Sequence, residues 1–125
     1  MRDFKQLKVW EKAHQLVLKV YEHRQSFPHE ELFGLTAHLL KSAISIPPNI
    51  AEGCGRETDR ELARFLSIAA GSASETEYQL ILARDLGYLN PQPHHDLDGQ
   101  VNEVKRMLNA FIQRLVKTQQ DQPEI

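Results

Sequence analysis

The stretch SAISIPPNIAEGCGR, residues 42–56, interrupts a chain that otherwise has the pattern of long amphipathic helices. Pro47 and Pro48 lack the N–H groups that a helix interior requires, and proline also biases the preceding residue away from helix. The apolar spacing of the flanking turns nevertheless continues through Ile46 and Ile50. The stretch therefore predicts one helix that is kinked at Pro47-Pro48, rather than a catalytic loop.

The glycines of this stretch are expected to end the kinked helix. Gly53 and Gly55 can both adopt the left-handed conformation in which many helices stop. If the helix breaks and restarts instead, Ser45 is the residue that would cap the new turn. A phosphate-binding loop is a poor match, because GCGRET, residues 53–58, follows no strand and lacks the Lys-Ser/Thr pair of a P-loop.

Helical periodicity also marks three other segments, and no segment alternates convincingly like a β-strand. The first extends from Leu7 to about Phe27. The third begins at the N-cap Thr58, where Glu61 completes a capping box, and the last follows the turn residues 87–93. The connections are short, and short connections favour antiparallel neighbours. The sequence therefore predicts an all-α fold, an antiparallel up-down-up-down four-helix bundle.

The composition suits one globular domain. Of the 125 residues, 41% are hydrophobic and 26% are charged. No apolar run reaches the roughly 20 residues of a membrane span, no signal peptide is recognisable, and the single cysteine excludes an intrachain disulfide. We expect a cytoplasmic protein with no membrane partner, in which residues 1–118 form the bundle and the polar residues 119–125 form a frayed tail.

Several apolar side chains lie off the main helical seams. Leu40, Ile44, Ile68 and Ile81 widen the apolar stripes beyond what one bundle core requires. Excess apolar surface on a small domain often marks an interface between subunits. The pattern therefore predicts a homo-oligomer.

A cluster of polar residues is expected on the inner faces of the second and third helices. Asn49 and Glu52 are three residues apart, and Ser72 and Glu75 lie in a stretch of small residues that allows close helix packing. We interpret these four residues as a buried structural cluster that fixes the helix register, with the kink supplying a free carbonyl. The functional alternative is a carboxylate site.

Metal catalysis has little support in the sequence. A di-iron bundle needs two Glu-x-x-His pairs and two further glutamates, and this chain offers one such pair, Glu11 and His14. His14 is more simply a core histidine. In HHDLD, residues 94–98, the acidic residues favour a helix N-terminus through the helix dipole. We therefore predict no metal and no cofactor.

The alternative of ribonuclease activity depends on Arg24 and His29. Their spacing would let the arginine bind a phosphate while the histidine transfers a proton. The Phe27-Pro28 turn separates the two residues, so the spacing alone is a weak signal. Cys54 lies between two glycines with no neighbouring base arrangement, and we interpret it as structural. The sequence therefore favours a protein that is not an enzyme.

Three segments resemble a known bacterial family: FKQLKVWEKAHQL (residues 4–16), FPHEELFGLTAHLLKSAISIPPNIAEGCGR (27–56) and ARFLSIAAGSASETEYQL (63–80). The resemblance is to the four-helix-bundle proteins encoded by intervening sequences in large-subunit ribosomal RNA genes, once labelled a ribosomal protein of the small subunit. It covers the chain to about Gly87 and, more loosely, the last helix.

The resemblance implies an antiparallel bundle similar to the accessory (variability determinant) protein of diversity-generating retroelements, a pentameric barrel that engages reverse transcriptase and nucleic acid. No catalytic residues are established for the family. This chain departs from those basic relatives in its net charge of −2. The predicted function is a self-assembling, homopentameric scaffold or accessory protein that binds RNA, DNA or a nucleic-acid-processing protein; the alternative is a metal-dependent or ribonuclease-type enzyme. The candidate nucleic-acid-binding residues are Lys5, Lys8, Lys12, Lys19, Lys105, Arg106, Arg114 and Lys117.

Overall fold

The computed structural model describes residues 2–121, with side chains to residue 118. Three short 3-10 turns, Phe4–Gln6, Arg24–Ser26 and His29–Glu31, accompany the α-helices, and the described residues contain no strand. The helices are α1 (Lys8–His23), α2 (Leu35–Ile44), α3 (Ile46–Cys54), α4 (Asp59–Asp85) and α5 (Pro91–Asp121). Helices α2 and α3 form one bent element, so the predicted all-α four-helix bundle is confirmed.

Each helix of the bundle packs mainly against two neighbours. Helix α1 packs on α5 and on the bent α2–α3 element, and α4 packs on the same two partners. Helices α1 and α4 therefore occupy diagonal corners. Helix α5 extends to Asp121, and the remainder of the predicted frayed tail lies outside the described residues.

The bend lies at Ser45, two residues before the first proline. Pro47 and Pro48 occupy the first turn of α3, where the backbone N–H groups would lack intrahelical partners in any case. Ser45 does not cap the new helix through its side chain, since its hydroxyl donates to the Ser42 carbonyl at 2.8 Å. The Asn49 amide in turn donates to the Ser45 carbonyl at 2.7 Å. The prolines thus start the second half of the bent element, and side chains satisfy the backbone around the bend.

The prediction that a glycine in the left-handed conformation ends α3 is wrong. Gly55 has a φ angle of −79°, which is an ordinary right-handed value. Gly53 is required for a different reason. A Cβ at Gly53 would lie 2.9 Å from Leu62 Cδ1 and 3.0 Å from Phe65 Cβ, so only glycine lets α3 and α4 approach this closely.

The remaining helix ends follow the sequence signals. Thr58 Oγ1 accepts a hydrogen bond from the Glu61 N–H at 3.2 Å, while the Glu61 carboxylate accepts from Arg64 at 2.9 Å, so the expected capping box is only half formed. Gly87, with a φ angle of +82°, ends the turn after α4 in the left-handed region, and Pro91 opens α5.

One continuous core fills the bundle. Helix α4 contributes the small buried residues Ala69 and Ala73, which let its neighbours approach closely. Within residues 2–121, no helix is long and apolar enough to cross a membrane. The predicted seam of α5 is fully buried and consists of Leu97, Val101, Val104, Leu108, Phe111 and Leu115.

Candidate functional surfaces

A buried polar network joins α2 to α4. The Ser42 and Thr76 hydroxyl oxygens lie 2.8 Å apart, and Ser42 Oγ also lies 2.6 Å from Gln79 Oε1. Thr76 donates to the Ser72 carbonyl at 2.9 Å. Ser42 and Thr76 are both buried. The polar residues that cross-link these helices are therefore mainly hydroxyls, not carboxylates.

The four residues of the predicted polar cluster lie in different environments. Asn49 is half-buried and bonded to the backbone at the bend, and Ser72 contributes its carbonyl to the Thr76 hydroxyl. The carboxylates of Glu52 and Glu75 are exposed, and Glu52 pairs with Arg56 at 2.7 Å. The two carboxylates therefore do not take part in the buried network.

Half of the candidate nucleic-acid-binding residues are already paired with carboxylates. Lys105 forms the best-shielded pair, with Glu77 at 2.7 Å, and its hydrogen bond lowers the pKa of Glu77. The other pairs are Lys5–Asp3, Lys12–Glu103 and Lys19–Glu22. Among the described residues, the candidates that form no ion pair within 4.0 Å are Lys8, Arg106, Arg114 and Lys117.

Most of the large exposed apolar side chains fall into two groups, according to the helices that carry them or adjoin them. The first, here called the α1–α2 surface, comprises Leu18, Phe33 and Ile44, bordered by the half-buried Leu40 and Trp10. Phe33 is 90% exposed. The second, here called the α4 surface, comprises Ile68, Tyr78 and Leu86. The α1–α2 surface lies on α1, α2 and the loop before α2, whereas the α4 surface lies on α4 and the turn after it.

The loop that carries Phe33 is held firmly. Glu31 Oε1 accepts from the Leu35 N–H at 3.2 Å, which caps the start of α2, and Glu31 Oε2 accepts from the Tyr88 hydroxyl at 3.0 Å. This hydrogen bond raises the pKa of Tyr88. Ser26 Oγ also donates to the Tyr88 carbonyl at 2.8 Å. Sequence reasoning missed this link because its partners are far apart in the chain and neither belongs to a motif.

The histidines and the cysteine considered for catalysis lie in different environments. His14 is exposed and stacks on Trp10 with ring centroids 5.3 Å apart, so the expectation of a core histidine is wrong. His94 is buried, whereas His95 is exposed. Within residues 2–121, no group of three or more His, Cys, Asp or Glu side chains is arranged to hold a metal ion. Cys54 is buried, and burial raises the pKa of its thiol, which disfavours the reactive thiolate.

The fold and its surfaces define an all-helical bundle protein with two groups of exposed apolar side chains. Residues 5–110 match the family described as 23S rRNA-intervening sequence protein, and the chain belongs to this family. The family resemblance read from the sequence is thereby confirmed.

A solved structure has the same fold. It is a crystal structure of a protein with unknown function from the S23 ribosomal protein family of Bacteroides thetaiotaomicron. The match has a TM-score of 0.78 at 24% sequence identity and covers 83% of this chain and 97% of that chain. At this identity the likeness establishes the bundle fold. No curated protein matches the chain.

Proposed function

We propose that this protein is a non-enzymatic, self-assembling scaffold or accessory protein. The observation that carries the proposal is the presence of two groups of exposed apolar side chains, the α1–α2 surface and the α4 surface. Leu18, Phe33 and Ile44 in the first group, and Ile68, Tyr78 and Leu86 in the second, expose more large apolar area than the fold requires. Burial of both surfaces against further copies would remove this area from water.

The placement of the surfaces favours a ring. Two different surfaces on one protomer form a heterologous contact, and a repeated heterologous contact closes into a ring when the rotation permits. Both surfaces extend along the bundle: α2 and α4 pack against each other, and Phe33 and Leu86 lie at the same end. Neighbouring copies can therefore stand side by side. The family resemblance supports five copies as the ring size.

The test uses two variants and their mixture. Light scattering after size exclusion should give about five times the 14.4 kDa chain mass for the wild-type protein. Leu18→Glu on the α1–α2 surface and Tyr78→Glu on the α4 surface should each give monomers. A mixture of the two should give a heterodimer, because each variant keeps one intact surface. Val116→Glu, at an exposed apolar side chain outside both surfaces, is the control and should keep the wild-type mass.

A wild-type monomer, or variants that keep the full mass, would reject the assembly. If the two variants fail to pair with each other, the contact is not heterologous, and the ring model is wrong even if the protein is oligomeric.

The proposed partners beyond the protein itself are RNA, DNA or a nucleic-acid-processing protein in the bacterial cytoplasm. This part of the proposal is supported by the family resemblance and by four basic residues that form no ion pair with any carboxylate among residues 2–118: Lys8, Arg106, Arg114 and Lys117. Electrostatic binding would weaken steeply with salt. Retention on RNA that does not change with salt, or no retention at low salt, would count against it.

A further inference from the structure

A cleft lies between the start of α1 and the end of α5. It has a volume of about 330 Å³, at the lower end of the range of small-molecule sites. Lys8 and Arg114 supply its polar lining, and none of the residues that line it is acidic. Its apolar lining comes from Leu7, Val9, Met107, Ala110 and Phe111.

Two guanidinium groups lie close to the ring of Phe111, which lines this cleft. The Arg114 and Arg2 guanidinium groups lie 5.3 Å and 5.4 Å from the centroid of the Phe111 ring. Arg2 also approaches Asp59 at 3.9 Å, whereas Lys8 and Arg114 form no ion pair within the described residues. The two cations that border the cleft are therefore free to bind an anion.

These features together define the ligand's chemistry. A simple anion would leave the apolar lining unused, and an uncharged apolar ligand would leave two cations without partners. A nucleotide combines a flat base with a phosphate, and bases stack readily on guanidinium planes. A base inside a duplex cannot enter such a cleft, because it is paired and stacked.

We infer that the α1–α5 cleft holds one nucleotide of a single-stranded nucleic acid, with the base against the apolar lining and the phosphate paired with Lys8 and Arg114. This inference rests on the nucleic-acid part of the proposed function and gives it a location. The cleft lies on the α1–α5 side of the bundle, apart from the α1–α2 and α4 surfaces, so binding and self-assembly can be tested separately.

The experiment measures fluorescence anisotropy of a labelled single-stranded RNA of about ten nucleotides at low salt and over a salt series. Lys8→Ala/Arg114→Ala should raise the Kd about tenfold or more. The slope of log K against log salt should flatten by about 1.4, the value for two lost phosphate contacts on a single strand. Ala110→Leu fills the cleft without a change of charge, and it should also weaken binding.

The matched control is Arg24→Ala/Lys41→Ala, which removes two exposed positive charges elsewhere. It should change the Kd by less than about threefold. AMP as a competitor distinguishes the source of the nucleotide: displacement of the RNA by AMP indicates a site for a free nucleotide, and resistance to AMP indicates a site that needs the strand. Both results support the nucleotide chemistry.

Three results would overturn the inference: no RNA binding at low salt, equal weakening by the cleft and control variants, or full binding by Ala110→Leu. Light scattering on the same samples tests self-assembly independently of RNA binding. RNA binding that the cleft variants weaken no more than the control variant rejects the cleft alone, whereas an intact oligomer that binds no RNA rejects the nucleic-acid part of the proposed function as well. A monomer that binds RNA through the cleft rejects the assembly alone.

Discussion

The hydroxyl oxygens of Ser42 and Thr76 lie 2.8 Å apart in the buried contact between α2 and α4. Thr76 Oγ1 also lies 2.9 Å from the Ser72 carbonyl. Ser42 Oγ lies 2.6 Å from Gln79 Oε1 and 3.1 Å from the Leu39 carbonyl. The serine hydroxyl has one hydrogen, so it donates to one of these acceptors at a time, while its oxygen can accept from another donor. The packing of α2 on α4 depends on this hydroxyl.

Replacement of Ser42 by Ala should lower the free energy of unfolding by about 1–3 kcal/mol, because the Gln79 and Thr76 side chains lose a buried partner. The double variant Ser42→Ala/Thr76→Val should lower the free energy of unfolding by less than the sum of the losses in the two single variants. Both members of the pair are then apolar, so neither leaves a buried polar partner unsatisfied. Chemical denaturation at a fixed protein concentration measures these values.

Ser74→Ala, at an exposed position of α4, is the control for the serine variant and should change stability by less than about 0.5 kcal/mol. Strict additivity in the double-mutant cycle would show that the two hydroxyls are not coupled.

Gly53 and Gly71 should respond oppositely to the same substitution. A Cβ at Gly53 would press on Leu62 and Phe65, so Gly53→Ala should destabilise the protein by about 1–3 kcal/mol. No atom lies within 4 Å of a Cβ at Gly71 in α4, so Gly71→Ala should stabilise it by about 0.5–1 kcal/mol through helix propensity. Thermal and chemical denaturation of both variants check the signs. Equal effects at the two sites would contradict the close contact of α3 with α4.

The helices and their core could be predicted from the sequence because burial follows the 3.6-residue period. The buried seam of α5 and the left-handed Gly87 both follow from such local signals. The position of the bend could not be fixed, because prolines are tolerated in the first turn of a helix. The sequence therefore does not decide whether Pro47 and Pro48 interrupt one helix or begin the next.

The polar contacts were harder to predict because they depend on packing between distant segments. Thr76 lies among the buried residues of α4 at apolar spacing, and its hydroxyl belongs to the buried network. Glu52 in α3 and Glu75 in α4 each directly precede a buried residue in the sequence, yet both glutamates are exposed. The contact of Glu31 with Tyr88 has no local signal at all.

The ion pair of Glu77 with Lys105 should make stability depend on pH. The hydrogen bond from Lys105 lowers the pKa of Glu77 from its ordinary value of 4.5. A carboxyl group whose pKa is lowered on folding binds protons more tightly in the unfolded chain. The stabilising contribution of the Glu77 carboxylate is therefore present above about pH 4.5, and it is lost as the pH falls through the lower pKa that Glu77 has in the folded protein.

Glu77→Gln should consequently lower the free energy of unfolding by up to about 1 kcal/mol at neutral pH, and it should have almost no effect at strongly acidic pH. Denaturation of the wild type, Glu77→Gln, Lys105→Gln and the double variant at several pH values measures the coupling energy. Glu103→Gln, which removes the longer 3.5 Å pair with Lys12, is the control and should show a weaker pH dependence. A penalty for Glu77→Gln that persists at acidic pH would point to packing rather than charge.

Phe33 should matter for assembly and not for the fold of the single chain. Its ring is 90% exposed, yet the loop around it is fixed by the bonds of Glu31 to Leu35 and Tyr88. A rigid loop presents an aromatic ring to a partner at low entropic cost, and buried aromatic anchors often carry about 2 kcal/mol or more of an interface. Phe33→Ala should therefore shift the oligomer to smaller species on dilution, as measured by light scattering.

The same variant should keep the helical circular dichroism spectrum, and its free energy of unfolding as a monomer, measured in the Tyr78→Glu background, should change by less than about 0.5 kcal/mol. Val116→Ala removes an exposed apolar side chain outside the α1–α2 and α4 surfaces, and it should leave the dilution profile unchanged. A Phe33→Ala protein with the wild-type dilution profile would remove Phe33 from the interface. Loss of stability in the monomeric background would instead assign the ring a role within its own chain.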